Sequence, residues 1–215
     1  MRSWIFGRKR PPGTEASSPP PSAPAPRAGI TVHAFGAAAA LAGAAERPGA
    51  TLLGRADAGL FAPPLRWAAL VLAGGAAGDV LFGPIPVADF AEDVPLLVDG
   101  VPVETLPAPR RLPRETLLGA AVTGVTGARV LARTEGRAVL RFGPPPAARW
   151  AVEGLRSLAV FRGKLTLIDG EESADVHAGA VALVAGPRAT VRVLAGNDAA
   201  IAVAFASADV AVRLE

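Results

Sequence analysis

Short apolar runs separated by glycine-centred turns fill the last third of the chain. The runs are Leu158–Phe161, Lys164–Ile168, Ser173–Val176, Ala180–Val184, Ala189–Leu194, Ile201–Phe205 and Val210–Leu214. Between them stand Arg162-Gly163, Asp169-Gly170, His177-Ala178-Gly179, Gly186-Pro187 and Gly196-Asn197-Asp198. Short strands at such regular spacing predict an antiparallel sandwich or barrel. The alternation in Thr190-Val191-Arg192-Val193 predicts one buried and one solvated face.

The preceding part is less regular. Ile30-Thr31-Val32 reads as a strand. The alanine-rich stretch from His33 to Arg47, closed by Pro48-Gly49, predicts a short helix, because alanine is the best helix former. Thr51-Leu52-Leu53 reads as a strand, and Trp67–Ala73 with Val80–Phe82 as a hairpin around the glycines at 74, 75 and 78. That glycine turn is not followed by a helical pattern, so it lacks the context of a dinucleotide-binding loop. Leu96–Val98 and Val101–Val103 predict a second hairpin with Asp99-Gly100 as its turn, and Pro102 places the returning strand at an edge. Asp89, Glu92, Asp93 and Asp99 read as a solvated acidic loop. Residues 113–122 predict a short helix, and Ala128–Ala132 with Ala138–Phe142 a hairpin at Glu135-Gly136. The fold class expected is mostly β: an antiparallel jelly-roll barrel, with two related halves admitted and one or two short helices.

Composition removes several functions. The 215 residues contain no cysteine, which excludes disulfides, thiolate metal sites and a cysteine nucleophile. No apolar run reaches the roughly 18 residues of a membrane span, and the N-terminus does not read as a secretory signal. A cytoplasmic bacterial protein with no transmembrane segment is expected. The chain carries +3 overall, but residues 1–28 hold five basic residues and one acidic, a net of +4, so the remainder nets −1. The body has no global basic field for a phosphate backbone, and nucleic acid is not an expected partner.

These observations divide the chain into three. Residues 1–28 are proline-rich and predict a disordered tail. At its tip Trp4, Ile5 and Phe6 stand beside Arg8, Lys9 and Arg10, an aromatic-basic cluster suited to docking on a protein partner or on an anionic membrane surface. Residues 29–146 form a β-rich first half, and residues 147–215 a second β domain.

Within 150–206, the order of a strand, Arg162-Gly163, a strand, Asp169-Gly170, then His177-Ala178-Gly179 and the apolar strand Ala180–Val184 resembles the cupin pattern. Phe90–Gly100 is similar to a segment of HutD-type bicupins, in which two cupin-like halves pack together; a W-x-N-G-G-G segment of that group is absent here. The resemblance implies a barrel whose pocket would be lined by alternate residues of Leu158–Ile168 and Ala180–Val184. Arg162, Lys164 and Arg192, with His177, are the polar groups expected nearest its mouth and would suit a small anionic ligand. Metal cupins use two or three histidines and a glutamate. This chain has His33 and His177 only, and His177 reads as a turn residue, so no metal or other cofactor is expected. No G-x-S-x-G element supports a serine nucleophile. Trp150 reads as a core or inter-domain plug.

The resulting expectation is a non-catalytic cupin-like binding or accessory protein, with a homodimer admitted. Its rivals are an assembly subunit docking through the tail, and a metal-independent isomerase or lyase of cupin type.

Overall fold

The computed structural model describes residues 29–40, 51–55, 67–82, 94–100, 110–115, 127–134, 136–143, 147–186 and 190–215. The strands are β1 (Ile30–Ala34), β2 (Ala39–Ala40), β3 (Thr51–Arg55), β4 (Trp67–Val71), β5 (Val80–Phe82), β6 (Pro95–Gly100), β7 (Arg110–Leu112) and β8 (Ala128–Thr134). They continue with β9 (Arg137–Phe142), β10 (Arg149–Arg162), β11 (Lys164–Asp169), β12 (Glu172–His177), β13 (Ala180–Val184), β14 (Thr190–Ala195) and β15 (Ile201–Leu214). The expected mostly antiparallel β architecture holds. All described pairs are antiparallel except the short β2–β3 contact.

The larger sheet runs β12-β11-β14-β10-β15-β9-β8, with β13 also on β10 and β1 on β13. The smaller sheet runs β2-β3-β6-β4-β5-β7. Strand β10 organises the larger sheet. Its first part, Arg149–Glu153, pairs with β14, its later part, Ser157–Val160, pairs with β13, and β15 follows it along the other edge. One strand holding two different partners on one edge must bend. The bend falls at Gly154, whose φ of 79° lies in the region that side chains disfavour. One register shift spans it, between Glu153 and Leu155, and a second follows between Leu155 and Ser157. The bend curls the sheet around its inner face.

That inner face encloses one apolar core: Ala138, Leu140 and Phe142 from β9, Trp150, Val152, Leu155, Leu158 and Val160 from β10, Leu165 and Leu167 from β11, Val176, Ala182, Val191 and Val193, and the alanines of β15. Trp150 is fully buried there and meets Phe142 edge-on at 5.7 Å, the favoured aromatic geometry. The outer face of β9, β13, β15 and the end of β10 packs against the smaller sheet. This second core joins Val139, Ala159, Val181, Val203 and Phe205 to Ala68, Leu70, Val80, Phe82 and Leu97. Period-two alternation therefore buries both faces of the central strands: β9 sends Leu140 inward and Val139 outward, and both are solvent-free.

Four expectations need correction. The alanine-rich helix is not formed over its first residues: Phe35–Ala37 is a single 3-10 turn and Ala39-Ala40 is strand. Helix propensity is a weak prior, and Phe35 instead buries into the second core, 5.6 Å from the Phe161 ring. Residues 41–47 of that stretch lie outside the described residues. Asp99-Gly100 is not a turn. Both residues belong to β6, which lies between β3 and β4; Val101–Val103 and the Pro102 edge strand lie outside the described residues. The runs Ile201–Phe205 and Val210–Leu214 are one strand, β15, continuous through Ser207–Asp209. His177 ends β12, and the turn is left to Ala178 and Gly179.

The other described first-half strands form as expected, as do the first and third of the three expected hairpins. Residues Ala69 and Leu70 pair with Leu81 and Val80, and β8 pairs with β9. Of the expected 113–122 helix, residues 114 and 115 are helical, and 116–122 lie outside the described residues.

Candidate functional site

The interior of the curled sheet is where an enclosed site was expected. Of the predicted lining, Leu158, Val160, Leu165, Leu167, Ala182 and Val184 do point inward. They are buried together with Trp150, Phe142 and Leu140. Side chains packed in this way form a core held by burial, about 1.5–3 kcal/mol for each large residue. Among the described residues no group of three or more histidines, cysteines or carboxylates is placed to hold a metal ion.

Lys164, His177 and Arg192, three of the predicted ligand residues, lie on the outside of the barrel. Leu165 and Leu167 turn inward, so Lys164 and Thr166 turn outward. Lys164 stands directly opposite His177, and Thr166 opposite Asp175. The Lys164 ammonium reaches the Asp175 carboxylate at 2.5 Å, and the Thr166 hydroxyl donates to it at 2.7 Å. These two hydrogen bonds, Lys164 first, hold the Asp175 carboxyl below its ordinary value, with the nearby His177 a smaller contribution. Arg192, on β14, pairs with Glu215 at 3.3 Å. Arg162 is exposed at the end of β10. The structure thus brings Lys164 and His177 together and leaves Arg192 and Arg162 on other strands. The partner-docking residues Trp4, Ile5, Phe6, Arg8, Lys9 and Arg10 lie outside the described residues.

The most concentrated polar chemistry lies between the two sheets. Asp99, on β6, is fully buried. It pairs with Arg137 of β9 at 2.9 Å and Arg156 of β10 at 3.2 Å, and the arginine side chains are only 8% and 12% exposed. Arg137 also donates to the Gly100 carbonyl. The bulge in β10 makes this arrangement possible. Leu155 pairs with Ala206 and Ser157 with Phe205, so Arg156 is the extra residue of the bulged strand. A bulge re-aims a side chain, and here it turns Arg156 outward to the smaller sheet while Leu155 and Leu158 stay in the barrel core. Burial pushes the Asp99 carboxyl above its ordinary value, against the opposing pull of Arg156 and Arg137. The hydroxyls of Ser157 and Thr51 are buried without a hydrogen-bond partner among the described residues. Thr51 is directly opposite Asp99 on β3, and Ser157 follows Arg156.

A second buried carboxylate fastens the smaller sheet. Asp79 accepts from the Arg111 guanidinium and from the backbone N–H of Arg114 at 2.7 Å. It thereby ties the β4–β5 turn to β7 and to the residues that follow it.

Sequence reasoning missed the Arg137–Asp99–Arg156 clasp. One signal was available: Asp99 ends the apolar run Leu96-Leu97-Val98, and a charge at the end of such a run is either a turn or a buried ion. Asp-Gly favoured the turn.

No protein-family model matches the chain, and no curated protein matches it. Among solved structures it is similar to salicylate 1,2-dioxygenase from Pseudoaminobacter salicylatoxidans in its adducts with gentisate. The two are 12% identical, the match covers 87% of this chain and 71% of that one, and the TM-score is 0.47. Another structure of that dioxygenase is 13% identical, with 87% and 74% covered and a TM-score of 0.46. The protein YhaK from Escherichia coli is 15% identical, with 84% and 83% covered and a TM-score of 0.43.

Proposed function

We propose that the chain is a non-catalytic, cupin-like accessory protein of the bacterial cytoplasm that works through its outer surface. The observation that carries this reading is the apolar filling of the barrel. Leu158, Val160, Leu165, Leu167, Phe142 and Trp150 occupy the volume that an enclosed ligand would need. An enclosed binding or catalytic site requires a few convergent polar groups, and the inward positions are given to packing instead.

A filled barrel favours docking over enclosed ligand binding. We therefore assign the work to assembly with a protein partner, with the aromatic-basic tip Trp4-Ile5-Phe6 and Arg8-Lys9-Arg10 as the docking element. A small anion held by Arg162, Lys164, Arg192 and His177 is the weaker form. It would have to displace Asp175 from Lys164 and Glu215 from Arg192.

The test is affinity capture at native expression, followed by mass spectrometry, comparing the full chain with a variant lacking residues 1–28. Enrichment of one partner by the full chain, lost on truncation, is the expected result. If both forms come down alone, the docking role is wrong.

A further inference from the structure

Four arginines stand on the side of the larger sheet that looks outward from the barrel at β8, β9 and β10. On β9, Ala138, Leu140 and Phe142 belong to the barrel core, so Arg137 and Arg141 share the opposite face with Val139. Both are buried. Arg156 joins them through the β10 bulge. On β8, Ala128 and Val130 pack toward the barrel core, which turns Arg129 outward between them.

Arg129 and Arg141 are directly opposite one another in the β8–β9 ladder. Opposed residues of an antiparallel pair share a face and hold their Cβ atoms about 4.5–5.5 Å apart, and like charges there repel. The two differ in surroundings. Arg141 is 6% exposed, and burial pulls its guanidinium down from its ordinary value. Arg129 is exposed, and no hydrogen bond or ion pair joins it to a described residue. Asp99, the buried carboxylate that the described residues bring to this face, is clasped by Arg137 and Arg156.

We propose that Arg129 and Arg141 form a two-pronged site for an oxyanion, a carboxylate or phosphate group seated between their guanidiniums. A guanidinium presents five N–H donors in a planar fork matched to such groups. Arg141 can therefore keep other contacts and still turn donors toward the anion. Its desolvation strengthens a charge-assisted hydrogen bond, while the exposed Arg129 gives the ligand its way in. The site lies on the outside of the barrel wall, on β8, which closes one end of the sheet, and does not depend on what fills the interior.

The experiment titrates the full chain with inorganic phosphate and, separately, with acetate, at ionic strength held constant with sodium chloride. Thermal unfolding and isothermal calorimetry read the binding. Saturable stabilisation by one of the two anions is expected, and which one it is distinguishes the phosphate from the carboxylate source. Arg129→Gln should weaken that binding at least about tenfold, the loss of a hydrogen bond to a charged group. Because Arg129 is exposed, this variant should fold as the parent does. Arg213→Gln, an exposed arginine paired with Glu153 on β10, should bind as the parent does. If neither anion stabilises the protein, or if Arg129→Gln binds as tightly as the parent, the proposal is overturned.

Discussion

Replacing Arg137 by methionine tests the clasp between the sheets. Methionine keeps much of the side-chain volume and removes the charge. What remains is a fully buried Asp99 with Arg156 alone at 3.2 Å, and a Gly100 carbonyl without its donor. Breaking a buried ion pair by removing one partner costs about 3–5 kcal/mol, because the other charge is left uncompensated. Arg156 retains part of the attraction, which favours the lower end, and the lost carbonyl hydrogen bond adds about 1 kcal/mol. A loss near 4 kcal/mol at pH 7 corresponds to a fall in Tm of roughly 8–16 °C for a chain of this size.

The pH dependence carries the sharper test. Burial already raises the Asp99 pKa above its ordinary 3.8. A carboxyl raised in the folded state contributes stability that is fully present below its unfolded pKa and is lost as pH rises through the folded value. Removing Arg137 deletes a charge that lowers this pKa, so the folded value moves further up. The cost of Arg137→Met should therefore be largest at neutral pH and shrink as the solution is acidified through that value. Asp99→Asn, which removes the group that is costly to bury, should cost less than Arg137→Met at pH 7. Urea denaturation from pH 5 to pH 8, with unchanged m-values, reads all three proteins. If Asp99→Asn costs as much as Arg137→Met, or if the Arg137→Met loss is the same at every pH, attraction outweighs burial and the reasoning fails.

Two further outcomes are expected. Ser157→Ala deletes a buried hydroxyl that has no partner among the described residues, so urea unfolding should show a gain of about 1 kcal/mol; a loss of that size would mean that the hydroxyl is satisfied in solution. Gly163→Ala should destabilise, since φ is +71° and the added Cβ would stand 2.8 Å from the Ala199 carbonyl oxygen. The conformation alone costs about 1–2 kcal/mol, and a thermal midpoint equal to that of the parent would show that the β10–β11 turn can shift freely.

Local pattern determined much of this protein. Gly-centred turns and period-two alternation are properties of neighbouring residues, and they placed β11, β12, β13 and β14 within two residues of their observed ends, as well as the β4–β5 and β8–β9 hairpins. The scarcity of histidine and the absence of cysteine were likewise legible without a fold. Long-range pairing was not. Ser207–Asp209 carry no strong strand signal, yet they are strand because β15 runs on to pair beside β10 at both ends. Phe35 leaves an alanine-rich stretch because a second sheet offers it a core. Asp99 reads as half of an Asp-Gly turn until two arginines, 38 and 57 residues further along, meet it between the sheets. The inward or outward sense of each strand also depends on the curl around Gly154. That curl put the predicted lining residues into a packed core and turned Lys164 to the outside. A sequence specifies alternation, and only the packing of one sheet on another decides which side of each strand is dry.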